Sequence, residues 1–171
     1  MTKYKRQGPH PISQYVDVHQ TEKLTALQSL SGYRLVRPED GSVPEFLPAD
    51  SDARELGRAL LDAFGRCRYV PPEDEEFYNM NKYYENYAHS EKEILRRTGK
   101  RTKSEAYKNA VWCEVRREER QIHMQPFRPA TRGNWDMLPA EMCVVIPETT
   151  DEEPLGAALK LALERGRTFE G

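Results

Sequence analysis

Leu56-Gly57-Arg58-Ala59-Leu60-Leu61-Asp62-Ala63-Phe64-Gly65-Arg66-Cys67-Arg68 returns ninety-nine residues later as Leu155-Gly156-Ala157-Ala158-Leu159-Lys160-Leu161-Ala162-Leu163-Glu164-Arg165-Gly166-Arg167. The copies agree at Leu56, Gly57, Ala59, Leu60, Ala63, Arg66 and Arg68. Leu56, Ala59, Leu60, Ala63, Phe64 and Cys67 fall at i, i+3, i+4, i+7, i+8 and i+11, and Leu155, Ala158, Leu159, Ala162 and Leu163 repeat the stripe. That spacing predicts two helices, each with one buried face. Asp52 with Glu55, and Thr150 with Glu153, supply start signals, a side chain that accepts backbone N–H bonds and an acid three residues on. Gly166 reads as a C-terminal stop. The glycine second in each copy is about 1 kcal/mol poorer than alanine in a helix, which suits a place where another backbone comes close.

Outward from these helices the chain alternates strand and loop signals. Gln14-Tyr15-Val16-Asp17-Val18 predicts a strand and Tyr33-Arg34-Leu35-Val36 a weaker one, among breakers at Gly8, Pro9, Pro11, Gly32, Pro38, Gly41, Pro44 and Pro48. After a short extension at Tyr69-Val70, Pro71-Pro72 breaks the pattern and a helix runs from about Asn79 to Arg97, ended by Gly99. Met80, Tyr83, Tyr84, Tyr87, Ile94 and Leu95 give that helix an aromatic stripe suited to packing. Val111, Cys113 and Val115 alternate with Trp112, Glu114 and Arg116, Arg117 to Arg120 form a polar turn, and Gln121 to Gln125 returns with Ile122 and Met124 inward, an antiparallel hairpin. Met142 to Ile146, apolar on both faces and bounded by Pro139 and Pro147, predicts a central strand covered on each side. The sum is a mixed α+β fold, one domain over residues 1–171 with a mainly antiparallel sheet and about three principal helices; residues 1–50 are the least assigned part.

Composition agrees with one globular domain: 171 residues, 37% hydrophobic, 32% charged, net charge -2. The longest apolar run, Met142 to Ile146, is far below the roughly 20 residues of a membrane span. No apolar core of a signal peptide follows Met1 to Arg6, so a cytoplasmic location is expected. Cys67, Cys113 and Cys143 are odd in number, widely separated and set in apolar patterns, which predicts buried, reduced thiols.

Charge is unevenly placed. Glu73-Asp74-Glu75-Glu76 is an unbroken acidic run followed by Phe77 and Tyr78, and Asp136 to Glu153 holds six acids and no Lys or Arg. Between them Arg96, Arg97, Lys100, Arg101, Lys103 and Lys108 share their window with Glu105 alone among acids. Each of the three is also what ordinary solvated surface looks like. An acidic run carrying aromatics suits a basic protein partner, because charge steers encounter while aromatic anchors hold the contact; the basic stretch suits phosphate, as in a small RNA-binding or RNA-processing protein.

Catalytic patterns are missing. The chain has no dinucleotide or phosphate-binding glycine motif, no His-Glu-x-x-His, no Gly-x-Ser-x-Gly and no Cys-x-x-Cys. His10, His19, His89 and His123 are dispersed; His123, with Glu114 or Arg116 across the hairpin, is the one candidate acid or base, and a surface histidine on a strand is the better account of it. No catalytic residue, cofactor or metal ligand is assigned.

The order of Leu56-Gly57-Arg58-Ala59-Leu60 through Cys67-Arg68, Thr102-Lys103-Ser104-Glu105-Ala106-Tyr107-Lys108-Asn109 with Cys113, Ile122-His123-Met124-Gln125-Pro126, Trp135, Val144-Val145-Ile146-Pro147 and Leu155-Gly156-Ala157-Ala158-Leu159 resembles the CdiI immunity proteins of bacterial contact-dependent growth inhibition. The resemblance covers about residues 52–167 and rests on order and spacing. Ala110 departs from it, standing where a larger apolar residue is expected, as does Phe127-Arg128-Pro129, where the pattern has histidine. It implies a non-enzymatic protein that binds and neutralises, in the cytoplasm, a CdiA C-terminal toxin domain, many of which are nucleases. A nuclease presents a positive face to its substrate, so local physical reasoning makes Glu73, Asp74, Glu75, Glu76, Phe77 and Tyr78 the expected toxin contacts.

Overall fold

The two repeat helices form, and they touch at their glycines. A computed structural model describes residues 13–171; Met1 to Arg6 and the breakers Gly8, Pro9 and Pro11 lie outside them. Helix α1 (Ala53–Arg66) opens with the expected capping box, the Asp52 carboxylate accepting from the Glu55 N–H and the Glu55 carboxylate from the Asp52 N–H. Helix α4 (Glu152–Thr168) starts differently: its N-cap is Asp151, and Thr149 Oγ1 accepts from the Asp151 N–H, so Thr150 is not the cap. A Cβ on Gly57 would stand 1.7 Å from the Glu152 carbonyl oxygen, and one on Gly156 would stand 1.6 Å from that of Ala53. The first turns of α1 and α4 therefore cross backbone to backbone, each helix occupying the space where the other has no side chain. Arg58 to Glu152 at 3.1 Å and Arg54 to Glu153 at 4.0 Å bridge the solvent side of this crossing.

The pair lies on one face of an antiparallel sheet. Strands β1 (Ser13–Gln20), β2 (Leu24–Tyr33), β3 (Leu35–Arg37), β4 (Glu45–Pro48), β5 (Val111–Glu118), β6 (Gln121–Pro129), β7 (Trp135–Met137) and β8 (Val144–Pro147) pair in the order β3-β2-β1-β5-β6-β7, with β4 beside the start of β2 and β8 beside the start of β6. Val16, Val18, Leu27, Val111, Cys113, Val115, Ile122, Met124 and Val144 point to the helix pair and close one core with Leu56, Leu60, Phe64, Leu155, Leu159 and Leu163. Helix α2 (Met80–Thr98) covers part of the other face, followed by the short helix α3 (Lys103–Ala106). The mixed α+β class, the single mainly antiparallel sheet and the three principal helices thus stand as expected.

Several local expectations change. Met142 to Ile146 is not a central strand: Ala140–Met142 is a 3-10 turn, and β8 is an edge strand because β6 divides its free side between β8 and β7. Val145 is accordingly exposed. Gly166 is no stop either; α4 runs on to Thr168, and the glycine lets it lie against β5, where a Cβ would meet Val111 Cγ1 at 2.5 Å. The β5–β6 turn is two residues, Glu119 and Arg120, both at positive φ (51° and 63°), so Arg117 and Glu118 remain strand. The segment Tyr33 to Val36 is a reversal at Arg34 between β2 and β3. Tyr69-Val70 joins no strand. Cys113 is buried as expected, whereas Cys67 and Cys143 are only partly so, and all three are free thiols.

Two substitutions test this packing. Leu60 and Leu159 are 0% exposed, so replacing either by alanine should cost on the order of 2 to 5 kcal/mol in urea unfolding. Helix propensity alone would make Gly57→Ala stabilising by about 1 kcal/mol; the carbonyl contact predicts instead a loss of about 1 to 3 kcal/mol, as overpacking gives. A stabilised Gly57→Ala protein would contradict the crossing.

Candidate functional site

The sheet face turned away from α1 and α4 carries rows of side chains in register. His19 on β1 is opposite Ala26 on β2 and Trp112 on β5, and Trp112 is opposite Phe127 on β6. Their rings stack along the row, Trp112 on Phe127 at 4.0 Å and His19 on Trp112 at 5.9 Å between centroids. Two residues along, Gln28, Asp17, Glu114 and Gln125 make a second, polar row, with Asp17 and Glu114 directly opposite each other. Like charges at such positions repel, so the sheet favours at most one of them ionised when no cation is near.

Burial reinforces this. Asp17 is 5% exposed, and the Trp112 indole N–H donates to its Oδ1 at 3.0 Å. Loss of water pushes the Asp17 carboxyl up to about 7; the indole hydrogen bond works against the rise and Glu114 adds to it. Glu114 is raised by burial as well, with Arg116 opposing. Burial holds His19 down to about 4. Its ring keeps some open surface, but Nδ1 is enclosed and has no hydrogen-bond partner among the described residues. Burial also raises the phenols of Tyr83, Tyr87 and Tyr107, which stay neutral.

Helix α2 is held over this face at a few points and leaves space beneath it. Asn79 caps its start through the Asn81 N–H, and Gly99, at φ 70°, ends it in the expected way. Ile94 is buried beside Leu24, Ala26, Tyr107 and Ala110, and Ser90 Oγ donates to Gln28 Oε1 at 3.1 Å. Two chambers share Asp17, Tyr87 and Trp112. The inner one, about 190 Å³, is lined further by His19, Glu91, Tyr107 and Trp135. The outer one, about 300 Å³, is lined further by Tyr15, Arg34, Leu35, Val36, Tyr83 and Glu114. Of the expected aromatic stripe, Tyr83 and Tyr87 face this cleft, while Met80 and Tyr84, 46% and 65% exposed, face away.

The acidic run lies at the N-terminal end of α2. Glu73, Asp74, Glu75 and Glu76 are exposed, and Lys82 reaches Glu76 at 2.9 Å and Asp40 at 3.5 Å. The two aromatics beside them are engaged by the chain itself: Phe77 is 6% exposed under the Arg37 guanidinium, 3.9 Å from its ring centre, and the Tyr78 hydroxyl donates to the Val70 carbonyl at 2.7 Å. The outward apolar surface at this end is instead Met80, Tyr84 and Leu35. In the basic stretch, Arg96 pairs with Glu93 at 2.7 Å, Lys103 with Glu91 at 2.6 Å, and Arg97 lies over the Phe46 ring. His123 stands opposite Arg116, and Glu114 opposite Gln125. Sequence reading missed the pairing of Asp17 with Glu114 and the place of His19; an acid at the centre of the apolar Val16-Asp17-Val18 strand was the available signal.

The CdiI profile, described as CDI immunity protein, matches residues 14–166. The chain belongs to the CdiI family. The matched span begins at β1 and ends in α4, so the four strands before α1 are part of the CdiI unit although sequence resemblance reached only from about residue 52. Among solved structures, a protein of unknown function from Neisseria meningitidis superposes with a TM-score of 0.80 at 24% identity, over 94% of this chain and 99% of that one. A chain of the CdiA-CT/CdiI toxin and immunity complex from Yersinia pseudotuberculosis superposes with a TM-score of 0.76 at 23% identity, over 90% and 97%. At these identities the two structures speak for the shared fold. No curated protein matches the chain in sequence. No helix among the described residues is long and apolar enough to cross a membrane.

The buried acid and the buried imidazole pull stability in opposite directions with pH. Asp17, raised from 3.8 to about 7, contributes stability that is full below about pH 4 and lost as pH rises through 7. His19, lowered from 6.5 to about 4, contributes stability that is present above about 6.5 and lost as pH falls through 4. Across the shared window the two slopes offset each other. Asp17→Asn removes one of them, so its stability relative to the unaltered protein should climb between pH 4 and 7 by up to about 4 kcal/mol, at ~1.4 kcal/mol per pH unit. Urea unfolding of both proteins at pH 4.5 and 7.5 measures this; a constant difference would show Asp17 ionised in the folded state at both values.

Proposed function

We propose that this chain is an immunity protein that binds a CdiA C-terminal toxin domain and neutralises it in the cytoplasm by occupying it, without catalysis of its own. Membership of the CdiI family over residues 14–166 is the observation that carries this reading. The contact surface we assign is the N-terminal end of α2: the carboxylates of Glu73, Asp74, Glu75 and Glu76 as a charged rim, with Tyr78 behind them and Phe77 holding the loop in place from below. Exposed Met80, Tyr84 and Leu35 supply apolar area beside that rim. Interfaces favour such a pairing, aromatic and methionine side chains within and charge around them. A rim of this sign suits a basic toxin face, the kind a nuclease uses for its polyanionic substrate.

Co-purification with the cognate CdiA C-terminal toxin domain tests the function. Within that complex, changing Asp74 and Glu75 together to lysine should keep the core intact, giving up locally the Phe77 N–H bond to Asp74 Oδ1 at 2.9 Å, and slow association at least about tenfold at low salt, since rim charges act on encounter. The defect should shrink at 1 M salt, where the Debye length is about 3 Å. An unchanged and salt-insensitive association rate would remove this loop from the interface. If the protein instead bound RNA through Arg96, Arg97 and Arg101, the lysine variant would bind it equally or better, and glutamate at those three arginines would abolish binding.

A further inference from the structure

The outer chamber beneath α2 has a floor of two opposed acids, Asp17 and Glu114. Neither Asp17 nor Glu114 makes an ion pair among the described residues, and Arg116 acts on Glu114 only through space. Arg116 is 3.6 Å from Glu118, and Arg117 is 3.7 Å from Glu148 and bonded to Gln14. Arg34 stands exposed at the mouth, its guanidinium over the Tyr33 ring at 5.4 Å. The walls are Tyr15, Tyr83 and Tyr87 with Leu30, Leu35 and Val36. At about 300 Å³ the chamber is at the lower limit of small-molecule sites. Its volume and lining suit one long side chain: apolar and aromatic walls for the stem, carboxyls for the head.

Resting on the toxin-binding reading, we infer that the outer chamber receives one arginine side chain of the protein partner, its guanidinium seated between the carboxyls of Asp17 and Glu114. Arginine fits better than lysine. Its planar fork can face two carboxyl groups at once, it stacks on aromatic rings, and it gives up its water more readily than an ammonium. The guanidinium supplies the positive charge that lets both acids ionise side by side. Exposed Leu35 and the acidic loop at the same end of α2 place the mouth next to the proposed contact surface, so charge brings the partner in and the chamber holds it.

Binding then releases a proton. The groups facing Asp17 are His19 on its own strand, Glu114 on β5, Tyr83, Tyr87 and Glu91 on α2, Tyr107 beyond α3 and Arg34 at the mouth, and Arg116 bears on Glu114. The histidine, with a value of about 4, is neutral near pH 7, and so are the phenols, whose values burial raises. Asp17 and Glu114 are therefore the groups whose charge changes.

Methylguanidinium is the probe, titrated into the free protein against sodium chloride at equal ionic strength, at pH 6 and pH 8. The readout is the Trp112 indole N–H resonance, which reports on the Asp17 hydrogen bond. A saturable shift specific to methylguanidinium is expected, about tenfold tighter at pH 8 because an acid of value about 7 is roughly a tenth ionised at pH 6 and nine-tenths at pH 8. Asp17→Asn and, independently, Glu114→Gln should abolish the saturable shift while the remaining spectrum stays dispersed. A shift no different from that of sodium chloride at both pH values, or one retained in both variants, would overturn the proposal. Because no toxin is present, such a failure leaves the immunity reading standing; a specific shift with no co-purifying toxin would sink that reading and keep the site.

Discussion

The carbonyl oxygens of Ala53 and Glu152, each seated against the glycine of the other helix, set the distance between α1 and α4. At that distance the leucine and alanine stripes of both helices reach the same side of the sheet and close one core with β1, β2, β5, β6 and β8. A methyl group at either glycine would push the helices apart, and every contact in that core would loosen with them, since packed interiors tolerate little expansion. The repeat in the sequence thus records a paired structural role in which each copy is the other's neighbour.

This arrangement frees the opposite face. With the apolar requirement met on one side, the other can hold Asp17, Glu114, His19 and their amide neighbours under a helix that touches them at a few points. Buried acids without a cation are costly in a folded protein. Their presence here, under a cleft with an aromatic lining, is the reason the proposed contact is placed on this face. The acidic loop at the start of α2 extends the same sign of charge to the surface.

Much of the fold was legible because helix periodicity and strand alternation are local. The stripes of α1 and α4, the capping box at Asp52 and the β5–β6 hairpin followed from spacing alone. Edge position did not: Val144-Val145-Ile146 reads as a central strand until β6 is seen to be shared between β7 and β8. The strands β2 and β4 were missed because Leu24 to Tyr33 mixes buried Thr25, Gln28 and Ser31 into its pattern. The acidic loop was visible as a charge run, but that Phe77 would be spent inside, under Arg37, depended on a contact forty residues away in sequence. The Asp17–Glu114 pair lies across strands almost a hundred residues apart, and only register brings it together.

The α2 side of the sheet, and not the α1–α4 side, is the proposed recognition face. Hydrogen exchange of the chain with and without its cognate CdiA C-terminal toxin domain tests this directly. The expected result is slowed exchange in the loop Glu73 to Tyr78 and in the first half of α2, Met80 to Tyr87, with the outer surfaces of α1 and α4 unchanged. Protection confined to α1 and α4, with the loop and α2 exchanging as in the free protein, would contradict it.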